Sequence, residues 1–205
     1  MFHVKQDGSA GFDVSRETAE RLTAYAALVR KWNPAINLFS KNDLTQLETR
    51  HIADALQLAA WLPADLTEAI DLGSGGGIPG VVLAVVTRAH WHLVESDKRK
   101  AAFLAEAARV TGANITVHAC RIEQLELPDV MVVTARALAP LPLLLQLAHR
   151  FIRPDGFLLA PKGRTADAEL TEASRQWHMN VERSASKTDL AASILKISEV
   201  RHVRI

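Results

Sequence analysis

From residue 69 onward, short apolar runs alternate with longer segments of helical periodicity, and this alternation constrains the fold of the chain most strongly. Strands are predicted at EAIDLG, HWHLVES, NITVHAC, DVMVVTARA and GFLLAPKG, with helices at PGVVLAVVT, KRKAAFLAEAARVT, PLPLLLQLAHRFI and TADAELTEASRQW. Two final runs, HMNVERSAS and ASILKISEVRHVRI, are predicted to be a closing pair of strands. Strands that alternate with helices of this length are typical of a parallel sheet covered on both faces. We therefore predict an α/β fold.

The first 66 residues have a helical pattern instead. Ser15 is a predicted N-cap, and apolar residues then recur at helical spacing until the NPAIN run, where Pro34 is expected to break the helix. A second helical pattern covers residues 44–62 and ends at Pro63. We predict a single domain over 1–205, in which a loose leader (1–14) opens a small helical N-terminal extension (1–66) and residues 67–205 form an α/β core.

Composition limits the function classes. The formal net charge is +1, so no global field draws the chain to nucleic acid or membrane, and any RNA contact needs a local basic patch. Cys120 is the single cysteine, which fits a reducing compartment. The polar start lacks the apolar core of a signal peptide, and no apolar run approaches the ~20 residues that span a bilayer. We predict a soluble, cytoplasmic monomer without membrane contact.

The stretch AIDLGSGGGIPG (residues 69–80) places an acid, Asp71, before a glycine-rich turn that follows the first strand. In open α/β sheets, ligands bind outside the carboxyl ends of the strands, so this turn is a predicted ligand site. Read literally, residues 75–80 match the dinucleotide pattern G-x-G-x-x-G, but Gly73 already follows the strand directly. A carboxylate at Asp71 is expected to repel a pyrophosphate and to favour a ligand with cationic groups. The acid-x-Gly-x-Gly-x-Gly order resembles the cofactor loop of S-adenosylmethionine methyltransferases.

Three later positions fit a nucleoside cofactor. Glu95 ends the second strand, where an acid can bind both ribose hydroxyls, although nicotinamide enzymes share this feature. Ile122 and Glu123 follow the third strand and are suited to flank an adenine. Arg136 follows the fourth strand and could hold either the cofactor carboxylate or an RNA phosphate.

The same strand end limits the methyl acceptor. The run VTARALAPL lacks the Asn/Asp-Pro-Pro-aromatic motif usual in enzymes that methylate exocyclic amines. Carbon-5 pyrimidine methylation needs a cysteine nucleophile, whereas Cys120 follows the third strand and is predicted to be a small buried residue. What remains as acceptor is an already nucleophilic atom, such as a ring nitrogen with a free lone pair, and attack by such an atom requires no general base. His90 and His92 share a strand face without a third ligand at metal spacing, so we expect no metal.

Five runs then occur in one order: WNPAINL, RHIADAL, DLGSGGGIPGVVLA, ARALAPL and PKG. Together they resemble the bacterial 16S rRNA guanine-N7 methyltransferases, also called glucose-inhibited division protein B, over nearly the whole chain. This resemblance implies a Rossmann-like, seven-stranded S-adenosylmethionine-dependent methyltransferase fold. It also implies methyl transfer to N7 of a guanine in the 530-loop region of 16S rRNA, with the small ribosomal subunit as partner.

Residue by residue, the resemblance implies cofactor contacts at Gly73, Ile78, Ile122, Glu123 and Arg136. To these we add Glu95 from the ribose argument and Gly75 from the loop. The predicted substrate-binding residues are Asn37, Arg50, His51 and Lys162. For those in the N-terminal part, helix capping and solvent-exposed pairs of polar side chains are an alternative interpretation. At three positions where the family usually has a serine or threonine hydroxyl, this chain has Phe39, Ala55 and Ala135. Candidate phosphate contacts lie in DKRK (97–100) and RHVR (201–204), and no residue is assigned to the chemical step.

Two alternatives stay open at this point. The literal glycine match allows a nicotinamide (NAD)-dependent oxidoreductase. One common reductase chemistry uses a tyrosine–lysine pair, and this pair is absent because the only tyrosine, Tyr25, lies on the N-terminal helix. A ribosome-assembly factor that binds S-adenosylmethionine without turnover is the second alternative, and observed methyl transfer would exclude it.

Overall fold

The computed structural model describes residues 14–203, which form one seven-stranded sheet flanked by α-helices. The leader predicted over residues 1–14 falls outside this range except for Val14. The strands are β1 (Glu68–Leu72), β2 (His90–Val94), β3 (Ile115–His118), β4 (Val130–Ala135), β5 (Ile152–Lys162), β6 (Trp177–Ala185) and β7 (Ser193–His202). The α-helices are α1 (Arg16–Ile36), α2 (Lys41–Thr45), α3 (Ala53–Leu58), α4 (Gly80–Val86), α5 (Lys98–Thr111), α6 (Leu141–Ala148) and α7 (Ala166–Ala173).

The strand order is β3-β2-β1-β4-β5-β7-β6. The first five strands in this order are parallel, as predicted, while β7 is antiparallel to both of its neighbours. β6 and β7 are joined by a short connection without a crossover helix, and such a connection can join only antiparallel strands. The chain moves outward from β1 to β3 and then returns to β4 on the other side of β1. The carboxyl ends of β1 and β4 therefore form the switch point at which ligands bind in such sheets.

Both faces of the sheet are covered by helices, which confirms the predicted layers. On one face, α1, α3, α4 and α5 surround a core that includes Trp91 and Phe103. On the other face, α6 and α7 pack over a second core that includes Ile70 and Phe151. Within residues 14–203, no helix combines the length and the apolar character that a membrane crossing requires. The division into an extension and a core stays a prediction.

The first helix begins as predicted but ends later. Ser15 Oγ accepts a hydrogen bond from the Thr18 N–H at 3.2 Å, which is the predicted N-cap. Pro34, however, does not break α1, which continues to Ile36. A proline in the last turn removes only one backbone hydrogen bond. The helix then closes at Asn37, which has a φ of 49° and whose N–H donates to the Asn33 carbonyl.

The helical pattern predicted over residues 44–62 is present but not continuous. Between α2 and α3, residues Leu47–Ile52 form a wider π-helical turn, and Ala59–Trp61 form a 3₁₀ turn. Leu47 and Ile52 on this turn are fully buried. Such π-helical turns are frequent at functional sites. This turn directs Arg50 and His51, two of the predicted substrate residues, toward the carboxyl ends of the strands.

Candidate functional site

A cavity of about 610 Å³ opens at the carboxyl ends of β1, β2 and β4. The glycine loop, the end of β2, the turn after β3 and the end of β4 all contribute to its wall. It brings together all seven residues predicted to bind the cofactor, namely Gly73, Gly75, Ile78, Glu95, Ile122, Glu123 and Arg136. These residues are spread over much of the sequence, and the parallel sheet alone brings them to one edge.

The glycine loop is shaped largely by the protein's own side chains. A Cβ atom at Gly76 would lie 2.5 Å from the Phe39 ring, and one at Gly77 would lie 2.6 Å from Val81. Gly75 differs, because a Cβ there would meet only one backbone oxygen, at 3.8 Å. Close packing inside the protein therefore explains Gly76 and Gly77, whereas Gly75 faces the cavity and leaves its backbone accessible to a ligand.

Tyr25 connects the N-terminal helix to this loop. Its hydroxyl donates a hydrogen bond to the Gly76 carbonyl, and its ring is fully buried between α1 and the sheet. Burial raises the pKa of the Tyr25 phenol, so the hydroxyl keeps its proton and remains a donor. α1 is thus part of the structure that fixes the loop, rather than a separate lid.

Asp71 does not line the cavity, and the expectation that its carboxylate meets the ligand is wrong. The side chain is 1% exposed and lies beneath the loop, because the last residues of β1 are covered by α4. Thr134 donates a hydrogen bond to Oδ1 at 2.6 Å, while Oδ2 has no partner among residues 14–203. Burial raises the pKa of Asp71 to about 6, and the hydrogen bond from Thr134 partly opposes this shift.

The raised pKa of Asp71 predicts a pH-dependent stability. Between the pKa of an unfolded aspartate, about 4, and the folded value of about 6, the native state keeps a proton that the unfolded chain has released. Stability from this group is therefore present at low pH and is lost as pH rises through that window. An asparagine side chain does not titrate. As pH rises from 4 to 7.5, the Asp71→Asn variant should therefore gain about 2 kcal/mol in unfolding free energy relative to the native chain. Denaturant unfolding at both pH values measures the difference, and parallel pH profiles for the two proteins would contradict it.

Gly80, the first residue of α4, packs directly against Asp71. A Cβ atom at Gly80 would lie 2.5 Å from Leu93 Cδ2 and 2.6 Å from Asp71 Oδ2, both of which are buried. We expect Gly80→Ala to lower the unfolding free energy by about 2 kcal/mol, because neither neighbour can move into open space. Gly163→Ala is the matched control, since a Cβ there meets nothing within 4 Å. Urea unfolding of both variants tests this, and equal midpoints would contradict it.

Glu95 is held with both carboxylate oxygens at the rim of the loop. Oε2 accepts from the Gly75 N–H at 2.9 Å, and Oε1 accepts from the Asp97 N–H at 2.7 Å. Each oxygen of a carboxylate has a second acceptor site, so both remain able to accept one more hydrogen bond. Two acceptors fixed side by side in the cavity wall suit a vicinal diol such as that of a ribose.

The turn after β3 carries Ile122 and Glu123 on a 3₁₀ segment beside the cavity. Cys120, predicted to be a small buried residue, packs against the second core but is only half-buried, because it also lines the cavity. The connection from β3 to β4 has no α-helix, which leaves Cys120 without a covering layer. These three residues form the wall opposite the glycine loop.

Arg136 follows β4, lines both the first cavity and the one beside it, and is mostly buried. Its Nη1 donates to His51 Nδ1 at 2.9 Å, and His51 Nε2 lies 2.9 Å from Asp43 Oδ1. Burial, followed by the charge of Arg136, lowers the pKa of His51, so this ring is neutral and carries its proton on the nitrogen facing Asp43. Arg136 makes no salt bridge with any residue from 14 to 203. A buried guanidinium whose side-chain partner is a neutral ring is suited to an anionic ligand.

A second cavity, of about 510 Å³, adjoins the first and shares Arg136, Ala137 and Leu138 with it. Arg50 and Lys162 line this second cavity. Three carboxylates, those of Asp54, Glu169 and Asp189, line it as well. A ligand in the first cavity and one in the second would therefore meet at the end of β4.

The four predicted substrate residues are not equally placed. His51 lines the first cavity and holds Arg136, whereas Asn37 is exposed, lines neither cavity and acts as the C-cap of α1. Arg50 is paired with Asp189 at 2.9 Å. Lys162 Nζ is largely buried and bound to Glu169 and to the Ala139 carbonyl, both at 2.8 Å. Lys162 therefore stabilises the cavity wall, and its ammonium has little access to an RNA phosphate.

The predicted phosphate contacts are also unequally placed relative to the cavities. Asp97 caps α5 through the Arg99 and Lys100 N–H groups, and Lys100 also lines the first cavity. Arg201 lies on β7, and Arg204 lies outside the described residues.

Sequence reasoning missed several residues of the first cavity, which are Phe39, Ser40, Asp43, Arg121, Leu138 and Leu147. Phe39 is positioned by Asn33, whose side chain binds both the Phe39 N–H (2.7 Å) and carbonyl (3.0 Å). The asparagine-rich turn could have indicated this contact, because the side chain of an Asn beside a proline such as Pro34 often hydrogen-bonds the backbone of a turn.

The histidine pair on β2 is also not as expected. Glu68, at the start of β1, places Oε1 2.6 Å from His92 Nε2 and 3.7 Å from His90 Nδ1. The expectation that no third group accompanies the two histidines is wrong, because the parallel register sets Glu68 directly beside His90.

Comparison with known proteins adds to this geometry. The sequence model of the rRNA small subunit methyltransferase G family matches residues 18–196. The ribosomal RNA small subunit methyltransferase G of Rhodospirillum centenum is 56% identical over 194 residues, covering 95% of this chain and 90% of that protein. The protein of the same name from Granulibacter bethesdensis is 51% identical, covering 99% of this chain and 100% of its own length.

Solved structures are similar in fold at low sequence identity. The magnesium protoporphyrin IX methyltransferase of Synechocystis PCC 6803, solved with bound SAM, has a TM-score of 0.60 at 14% identity and covers 92% of this chain and 98% of its own. The N-methyltransferase NodS of Bradyrhizobium japonicum, in complex with S-adenosyl-l-homocysteine, has a TM-score of 0.57 at 13% identity, covering 88% and 99%. The fold of this chain is that of the Rossmann-like methyltransferases.

Proposed function

Since the chain belongs to the rRNA small subunit methyltransferase G family, we propose that it transfers a methyl group from S-adenosylmethionine to N7 of a guanine in the 530-loop region of 16S rRNA. The observation that carries this proposal is the pair of adjoining cavities at the end of β4. The first has the features of a nucleoside cofactor site, and the second gives an acceptor base a route to it.

The residues of the first cavity fit S-adenosylmethionine. Glu95 offers two fixed acceptors for the ribose hydroxyls, and the backbone at Gly75 is open to close approach. Ile122 and Glu123 flank the region expected for the adenine, with an apolar surface and an acceptor for its exocyclic amine. Arg136, which pairs with the neutral ring of His51, offers its guanidinium charge to the carboxylate of the cofactor or to an RNA phosphate.

The nicotinamide alternative is disfavoured by Asp71, although not by direct contact. In dinucleotide enzymes the pyrophosphate lies at the N-terminus of the helix that follows the glycine loop. Here Asp71 Oδ2 packs against Gly80, the first residue of that helix. A pyrophosphate at this helix end would therefore face a buried carboxyl group, whereas S-adenosylmethionine carries no phosphate.

We place the acceptor guanine in the second cavity. The Watson–Crick edge of guanine presents N–H donors, and its N7 is an acceptor on the opposite side of the base. The carboxylates of Asp54, Glu169 and Asp189 line this cavity beside Arg50 and Lys162, and their oxygens can accept hydrogen bonds from those donors in addition to the ion pairs that Glu169 and Asp189 make. A base bound in this orientation would direct N7 toward Arg136, Ala137 and Leu138, which separate the two cavities.

The chemistry requires little of the protein beyond positioning. S-adenosylmethionine, when bound, supplies an electrophilic methyl group on a sulfonium. Guanine N7 has a free lone pair, so no residue has to remove a proton before transfer. The shared wall aligns the two ligands and excludes water, and the carboxylates of the second cavity favour the cationic 7-methylguanine product. No single residue is assigned to the chemical step.

Ligand titration tests the cofactor part of this proposal. We expect calorimetry to give saturable 1:1 binding of S-adenosylhomocysteine and no binding of NAD⁺ under the same conditions. Addition of methyl-labelled S-adenosylmethionine and small ribosomal subunits should then transfer label to RNA, which a non-catalytic assembly factor would not do. Saturable NAD⁺ binding without S-adenosylhomocysteine binding would contradict the proposal.

Partners and location follow as proposals. The 16S rRNA substrate implies contact with the small ribosomal subunit or its precursor and a cytoplasmic location. Cations that line the first cavity, the partly exposed Lys100 and the exposed Arg121 among them, provide the local basic surface that the modest net charge requires. The predicted monomeric state remains a prediction.

A further inference from the structure

We propose that the side chains of Glu68, His90 and His92 form a binding site for one divalent transition-metal ion of the Zn²⁺ type. This cluster lies at the amino ends of β1 and β2, on the sheet edge opposite the proposed cofactor cavity. The proposal therefore does not depend on the proposed methyl transfer.

The possible ligand atoms of the three residues converge on one point. One oxygen, one Nδ1 and one Nε2 from these three residues all lie within 4.8 Å of one another. Glu68 Oε1 lies 2.6 Å from His92 Nε2 and 3.7 Å from His90 Nδ1. Ligand atoms around a tetrahedral zinc ion with bonds of about 2.0–2.1 Å lie roughly 3.3 Å apart. Small side-chain rotations would therefore bring the three atoms into one coordination sphere.

The second nitrogen of each imidazole, which faces away from Glu68, is also held by a hydrogen bond. His90 Nε2 lies 2.8 Å from Thr116 Oγ1, and His92 Nδ1 lies 2.9 Å from His118 Nε2. Both partners belong to β3, so one neighbouring strand holds the non-ligating nitrogen of each imidazole. Metal-binding histidines characteristically hydrogen-bond through their second nitrogen, which fixes the ring and the tautomer. The cluster therefore has a second layer of support as well as three ligands.

The cluster is accessible to solvent. The four other crossovers between strands contain α-helices, but the connection from β3 to β4 contains only the 3₁₀ turn Ile122–Gln124. This part of the sheet face therefore has no helix over it, and polar residues replace the apolar ones found nearer the carboxyl ends. His92 is 9% exposed, whereas the side chains of Glu68 and His90 are 39% and 33% exposed. Solvent can thus supply a metal ion and its remaining ligands.

A ligand set of two histidines and one carboxylate is typical of zinc and of other divalent first-row metals. The expected consequence is structural: the ion would join the starts of two adjacent strands in the native state but not in the unfolded chain. Binding should therefore raise the melting temperature, by an amount that grows with metal concentration.

The test titrates the metal-free full chain with ZnSO₄ by calorimetry and repeats the titration with CoCl₂ while recording the visible spectrum. We expect one Zn²⁺ per chain, cobalt bands typical of four or five coordination, and a zinc-dependent rise in melting temperature. His90→Asn should weaken zinc binding at least tenfold, and Glu68→Gln, which keeps the side-chain shape, should do the same. His178→Asn, on the exposed face of β6, is the matched control and should bind zinc as the native chain does.

Absence of saturable zinc binding to the native chain would overturn the proposal. Equal zinc affinity of the Glu68→Gln, His90→Asn and His178→Asn proteins would overturn it as well, because the ion would then bind elsewhere. Circular dichroism of each metal-free variant verifies that it is folded before titration.

Discussion

Replacing Arg136 with methionine is expected to reduce methyl transfer about 100-fold. The guanidinium is mostly buried, its side-chain hydrogen bond is to the neutral ring of His51, and it lines both cavities. Removing one partner of a buried charge-assisted contact costs about 2–5 kcal/mol, and 100-fold corresponds to roughly 3 kcal/mol. Methionine retains most of the side-chain volume, so the loss should come from charge rather than from a cavity.

The Arg136→Met protein also separates the two roles proposed for this residue. If Arg136 holds the cofactor carboxylate, the dissociation constant for S-adenosylmethionine rises with the loss of activity. If it holds an RNA phosphate, cofactor affinity is retained and KM for the small subunit rises instead. Arg109→Met is the matched control, because Arg109 lies on α5, pairs with Glu106 and lines neither cavity. Activity of Arg136→Met equal to that of the control would remove Arg136 from the site.

Glu95→Ala is expected to weaken S-adenosylmethionine binding about 100-fold. The variant loses the proposed ribose contacts, and it also leaves the Gly75 and Asp97 N–H groups without their acceptors. Hydrogen bonds to charged groups contribute about 1.5–3 kcal/mol each, so loss of two ribose contacts accounts for this change. Calorimetry with S-adenosylmethionine measures the dissociation constant directly.

Two further variants make the Glu95 result specific. Glu95→Gln keeps one oxygen acceptor and should weaken binding about tenfold, since a neutral acceptor makes a weaker hydrogen bond. Glu106→Ala removes a glutamate that pairs with Arg109 on α5, outside both cavities, and should bind the cofactor as the native chain does. Unchanged affinity in Glu95→Ala would show that the acid at the end of β2 does not hold the ribose.

Most of the fold could be predicted because local patterns and long-range order agree in this chain. Apolar runs of strand length followed by amphipathic helices specify a parallel sheet, and the parallel sheet places every strand end on one edge. The seven predicted cofactor residues therefore share one cavity although they lie far apart in sequence. The helix boundaries were less accurate, since a proline in the last turn, such as Pro34, costs too little to end α1.

Side-chain partners could not be predicted in the same way, because they depend on packing between distant segments. Asp71 looked like a ligand contact at a strand tip, yet α4 covers it and Thr134 binds it. The glycines at 76 and 77 accommodate Phe39 and Val81, a role that periodicity does not reveal. Glu68 joins His90 only through the register of β1 and β2, which no local pattern specifies.

Mapping the methylated atom tests the proposed transfer to guanine N7 of 16S rRNA most directly. The pure protein is incubated with methyl-labelled S-adenosylmethionine and small ribosomal subunits that lack native N7 methylation, and borohydride followed by aniline then cleaves the RNA at 7-methylguanine. We predict label in 16S rRNA and a single cleavage in the 530-loop region, both formed about 100-fold more slowly with Arg136→Met. Label without cleavage would place the methyl group on another atom, and no label despite tight cofactor binding would contradict the assignment as an rRNA methyltransferase acting on this substrate.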